Sequence, residues 1–287
     1  MPRRNATASS LALLILVSLP ALPGCLYLPA ESTHGRPLPV PESTLETFAA
    51  PRIVEPVAQR VLRTTDEYTV QRIELPAATD PSGERRVTID YYAIPAAAGA
   101  GTADLDELNH GFRNIVIDHR QALDWLELQP NVDADRIGLF GVSAGGIKGA
   151  LVAALDSRIR ASVLCLVGGD LPFIFRYSSE KGIRRTREKA RREHKASADE
   201  VYKAMRDHFE HDPLQYARHI DARNTLLVLA AFDTTVPFHT GERLREAIGN
   251  PETMIVPTGH YSSLIYIPCI EDIAANFFDR RLSRDER

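Results

Sequence analysis

Short apolar runs alternate along the chain with segments whose apolar positions recur every three or four residues. Residues 136–141, 161–167, 226–232 and 253–256 are such runs, and each predicts a buried strand. Between them, Phe112, Val116, Leu123 and Leu126 mark one face of a helix that Pro130 ends. Residues 143–155 and 270–278 predict two further helices. Upstream, residues 67–75 and 86–94 read as a hairpin. Thr88, Asp90 and Tyr92 alternate with Val87, Ile89 and Tyr91, and Pro81-Ser82-Gly83 supplies the turn. Strands that alternate with helices predict an α/β fold, a mostly parallel sheet with helices on both faces.

The first residues read differently. Arg3 and Arg4 precede a compact apolar run, residues 11–19, too short for a membrane-spanning helix of about 20 residues. The pattern fits a secretory signal over residues 1–24. Leu22-Pro23-Gly24-Cys25 resembles a bacterial lipoprotein box, which implies that Cys25 is lipidated and becomes the new N-terminus. Pro23 departs from the small or aliphatic residue usual at its position, and the alternative is a plain signal cut elsewhere. Six prolines between Leu26 and Pro56, with little periodicity, predict an extended tether over residues 25–60. The globular domain would then span residues 61–287.

Composition narrows the classes. The chain has 287 residues, 34 Lys+Arg against 38 Asp+Glu, and a net charge of −4, so no basic surplus points to nucleic acid. Cys165 sits in an apolar run as a buried small hydrophobe, and neither it nor Cys269 builds a disulfide or metal framework with Cys25. The pattern also changes at residues 171–222, which read as an inserted helical cap. Residues 181–195 there hold eight basic side chains against two acids. They read as a solvated helix face, or alternatively as a patch for anionic lipid headgroups or an acidic substrate.

The chemistry concentrates at Gly141-Val142-Ser143-Ala144-Gly145, a G-x-S-x-G directly after a strand and before a helix. A tight turn there would expose the Ser143 hydroxyl and aim the Ala144 amide at a developing oxyanion. A serine hydroxyl needs a base, and the base needs an orienting acid. Asp233 follows the strand at 226–232, and His260 follows the strand at 253–256, so the order is Ser143, Asp233, His260. Asp170, also past a strand, is the alternative acid. His110-Gly111 imitates an oxyanion motif, but no strand leads into it.

These stretches, with residues 112–118, 122–125 and 132–137, resemble the α/β-hydrolase superfamily, in its bacterial esterase and dienelactone-hydrolase-like branches. The resemblance implies Ser143 as nucleophile, His260 as general base and acid, Asp233 as its orienter, an acyl-enzyme intermediate and no cofactor. One part departs from the pattern. The superfamily places two more strands and a helix between the hairpin and the helix before the elbow, and the first of those strands leads to the second oxyanion amide. Only 17 residues, 95–111, fill that interval here. Two strands and a crossover need about 30 or more. The expectation is therefore an α/β-hydrolase-like sheet lacking central strands.

The sequence thus predicts a lipid-anchored, periplasm-facing hydrolase of the bacterial cell envelope, acting on a small-molecule ester, thioester or other acyl substrate. The rival reading is a catalytically weak or inactive hydrolase-fold lipoprotein that serves as a binding module.

Overall fold

The computed structural model describes residues 25–31, 35–52, 54–64, 69–76, 86–90, 105–130 and 132–283. The expected signal over 1–24, the hairpin turn at 81–83, and residues 91–94 of its second strand lie outside the described residues. In chain order the strands are β1 (Leu26–Leu28), β2 (Ala58–Thr64), β3 (Thr69–Pro76), β4 (Arg86–Asp90), β5 (Ile137–Val142), β6 (Ile159–Cys165), β7 (Thr225–Ala230) and β8 (Glu252–Val256). The helices are α1 (Glu42–Thr47), α2 (Leu105–Leu126), α3 (Ala144–Leu155), α4 (Leu171–Tyr177), α5 (Lys181–Glu193), α6 (Ala198–His208), α7 (Pro213–Tyr216), α8 (Phe238–Ile248) and α9 (Ile267–Leu282).

The main sheet has the order β1-β8-β7-β6-β5. Its four long strands run parallel, and β1 joins β8 antiparallel with Leu26 opposite Ile255. Successive side chains of a strand point to opposite faces, and here both faces are covered. Leu139, Leu164, Leu227 and Leu229 pack on one side with α2, α3 and α8. Val163, Cys165, Val228 and Val256 pack on the other against Ile270, Ala274 and Phe277 of α9. Burial on both faces explains why these strands read as unbroken apolar runs rather than alternating ones. Helices α4 to α7 fill the cap interval between β6 and β7.

At the outer edge, β5 pairs with β6, and among the described residues no strand lies beyond it. Its burial alternates: Ile137 and Leu139 are buried, whereas Phe140 and Val142 are exposed. Gly138, on the same side as those two, lies under the ring of Phe278 from α9. Helix α9 therefore covers one end of this strand and leaves the other open.

A partly buried charge cluster ties α2 to the end of α3. Arg158 bridges Asp156, at the end of α3, and Asp124 of α2, at 2.6 Å each. Arg120 adds a second cation on Asp156 at 3.2 Å. Burial alone would raise the Asp156 pKa, but hydrogen bonds and charge from Arg158, with charge from Arg120, hold it below its ordinary 3.8.

The segment expected to be a tether packs on the domain instead. Leu26–Leu28 adds an edge strand, and Phe48, 1% exposed, enters the core beside the rings of His211 and Tyr216. Arg113 Nε and Arg120 Nη1 donate to the Thr47 and Phe48 carbonyls. Proline-rich sequence excludes long regular elements, but it leaves three ladder residues and one aromatic anchor free to dock. The hairpin of β3 and β4 is present, and β2 extends it to three antiparallel strands.

Candidate active site

Ser143 stands at the turn between β5 and α3 with φ +54°, in the left-handed region that non-glycine residues rarely occupy. The surrounding chain holds it there. The Ser143 amide donates to the Cys165 carbonyl at 2.8 Å, while its own carbonyl accepts from Ile147 at 3.0 Å. Sterics then select the neighbours. A Cβ on Gly141 would come within 2.7 Å of the Gly145 carbonyl oxygen, and one on Gly146 within 3.1 Å of the Cys165 carbonyl oxygen. A Cβ on Gly145 would meet nothing within 4 Å. The turn therefore requires glycine at 141 and a small residue at 146, whereas the sequence motif suggested 141 and 145. Ala144 is the first residue of α3, and no side chain caps that helix start.

The loops after β7 and β8 run side by side and bring the other two residues to the same edge. Ala231 N donates to Val256 O, and Phe232 N to Thr258 O, at 2.9 Å each, which continues the strand pairing past the sheet. The amides of Thr235 and Val236 donate to Asp233 Oδ1 at 2.8 and 2.9 Å. Its other oxygen faces His260 Nδ1 at 2.6 Å. The His260 turn is pinned by Ser262 Oγ on the Gly259 amide and by a 2.7 Å hydrogen bond between Thr258 and Ser263. On its far side, His260 Nε2 lies 2.8 Å from Ser143 Oγ. Hydroxyl, imidazole and carboxylate thus form one continuous hydrogen-bonded line, with the imidazole and carboxylate almost wholly shielded from water.

Other candidates fall elsewhere. Asp170 caps α4 through the Phe173 amide and pairs with Arg243; its chain is held in turn by the Asp212 carboxylate. It is a structural group and not the partner of His260. His110 is an exposed residue inside α2. Burial pushes the Cys165 thiol up to about 12, so it is an inert core residue. The second oxyanion amide implied by the resemblance would come from residues 95–111. Of these, 95–104 lie outside the described residues and 105–111 are the first turns of α2.

A cavity of about 980 Å³ lies between α2, α5 and α6, over Leu108, Phe175, Ala190 and Met205. None of Ser143, Asp233 or His260 lines it. Among the described residues, no cluster of His, Cys, Asp and Glu could hold a metal ion, and no helix is long and apolar enough to cross a membrane.

No curated protein matches the chain in sequence. Solved structures do match in shape. Acetyl xylan esterase 1 from Thermoanaerobacterium sp. JW/SL YS485 is similar at a TM-score of 0.57 and 15% identity, over 86% of this chain and 100% of that one. Acetyl xylan esterase from Paenibacillus sp. R4 is similar at 0.51 and 18% identity, over 81% of this chain and 99% of that one. Both likenesses concern the fold, which is that of the α/β-hydrolase esterases. Residues 119–282 match the family described as BAAT / Acyl-CoA thioester hydrolase C terminal. That match spans the elbow, the cap interval and both loops of the site, and by it the chain belongs to this family of the α/β-hydrolase superfamily.

Proposed function

We propose that the chain is a serine hydrolase of carboxylic esters or thioesters, with Ser143 as nucleophile, His260 as base and acid, and Asp233 as its orienter. The observation that carries this reading is the relay of 2.8 Å from Ser143 Oγ to His260 Nε2 and 2.6 Å from His260 Nδ1 to Asp233 Oδ2. In this route Ser143 Oγ attacks the acyl carbon while its proton passes to His260 Nε2. The carbonyl electrons move onto oxygen, where the Ala144 amide at the start of α3 donates to the oxyanion. Collapse expels the alkoxide or thiolate, which takes the proton from His260 and leaves an acyl-Ser143. Water then attacks, Nε2 accepts its proton and returns it to Ser143 Oγ as the acid departs. Asp233, anchored by two amides, fixes the tautomer and favours the imidazolium formed on the way.

The family name points to acyl thioesters and the similar structures to acetyl esters, and the mechanism serves both, since the acyl carbon is the same electrophile. The binding-module alternative finds no support among these relatives. We further propose that Cys25 is acylated after removal of residues 1–24 and holds the domain at the periplasmic side of the envelope. Turnover of p-nitrophenyl esters of rising chain length and of acyl thioesters, by wild type and Ser143→Ala, tests the enzymatic reading. Hydrolysis lost in the variant is expected; equal hydrolysis by both proteins would overturn it.

A further inference from the structure

The chain after His260 exposes an uncharged apolar face. No Asp, Glu, Lys or Arg occurs between Glu252 and Glu271, in a chain with 25% charged residues. Residues Tyr261–Tyr266 form a 3-10 helix that runs into α9. Three residues per turn put Ser263 and Tyr266 inward, both buried. Tyr261, Leu264 and Ile267 then share an outer face, with Ile265 beside it. Leu264 is 64% exposed and Ile265 72%. Phe232, 69% exposed, stands on the neighbouring loop, whose backbone pairs with the His260 loop at Thr258. The surface beside the His260 loop is therefore apolar where an ordinary soluble surface would be mixed.

A second observation says what covers it. Cys25 packs, as does Cys269, against the core cluster that holds Tyr266 of the same 3-10 helix and Ile270, Ala274 and Phe277 of α9. Removal of residues 1–24 with acylation of Cys25, as proposed above, would place the acyl chains at this point. β1 begins at the next residue, Leu26, so an acyl chain on Cys25 would sit directly against the sheet. Leu26 and Tyr27 are themselves half exposed. Apolar side chains flanked by tyrosines suit the boundary between headgroups and acyl chains, and a single acyl anchor needs a second contact for stable attachment.

We propose that the face formed by Phe232, Tyr261, Leu264, Ile265 and Ile267 is a docking surface for a phospholipid bilayer, which sets the opening of the Ser143 site against the membrane. This surface rests on the acyl anchor proposed for Cys25, but it can be tested without it. The test is vesicle co-sedimentation of the chain carrying Cys25→Ser, secreted behind a cleavable leader, on phosphatidylethanolamine–phosphatidylglycerol vesicles. Partitioning should fall at least tenfold when Leu264→Asp and Ile265→Asp are added. It should fall less than twofold with Arg184→Gln and Arg185→Gln in the basic helix α5. Soluble-ester turnover, unchanged in both, certifies folding, and Leu264→Ser with Ile265→Ser replaces the aspartates if it drops. No sedimentation of the Cys25→Ser protein, equal loss with the arginine pair, or a concentration-dependent dimer that the aspartates dissolve without vesicle binding would each overturn the proposal. Failure of acylation at Cys25 would appear separately, as no lipid mass on the wild type, and failure of the hydrolase reading as no turnover.

Discussion

His260 Nδ1 and Asp233 Oδ2, from two different loops, meet at 2.6 Å, while the second oxygen of that carboxylate is occupied by the amides of Thr235 and Val236. The carboxylate cannot rotate without losing three partners. The imidazole is therefore held with Nε2 toward Ser143.

Replacing Asp233 with Asn should leave the fold intact and lower kcat by about 10⁴, because an amide can donate to Nδ1 and fix the wrong tautomer. KM for a p-nitrophenyl ester should stay within a few-fold. Asp170→Asn is the control. Its carboxylate serves Arg243 and the start of α4, so turnover should remain within threefold. A reversed pattern in steady-state kinetics would move the acid to Asp170.

Two glycines of the elbow should respond in opposite ways. Gly141→Ala forces a methyl against the Gly145 carbonyl at 2.7 Å, backbone against backbone, and should cost about 1–3 kcal/mol in urea unfolding. Gly145→Ala meets nothing within 4 Å and sits in the first turn of α3. It should be neutral, or stabilising by up to about 1 kcal/mol. Equal midpoints for the two variants would contradict this packing.

Asp156 makes part of the stability pH-dependent. Its folded pKa lies below 3.8. The ion cluster therefore contributes fully above the unfolded value and is lost as pH falls through the folded one. Asp156→Asn leaves Arg158 and Arg120 without this partner and should cost about 3 kcal/mol at pH 7. The gap between wild type and variant should close as pH drops below 3.8. A gap independent of pH in denaturant titrations would assign the cost to packing alone.

Sequence pattern and structure agree where a residue's position follows from a strand end. Ser143, Asp233 and His260 each lie just past a buried apolar run, so the sheet edge that gathers them was readable before any distance was known. Phe48 and Leu26–Leu28 were not readable, because docking of a proline-rich segment depends on a groove and an open sheet edge made by distant residues. Gly146 was missed for a related reason. The motif marks spacing along the chain, whereas the close approach that excludes a side chain comes from Cys165 on the neighbouring strand. The short interval 95–111 pointed to an elbow strand short of a neighbour, and among the described residues β5 pairs with β6 alone.

Peptide mapping after treatment with a fluorophosphonate tests the central claim most directly, since covalent capture requires an activated hydroxyl and not merely a well-placed one. The account predicts one phosphonyl adduct per chain, on Ser143, absent from Ser143→Ala and strongly slowed in a His260→Ala protein. Folded wild-type protein that takes up no probe, or that carries the adduct on another residue, would contradict it.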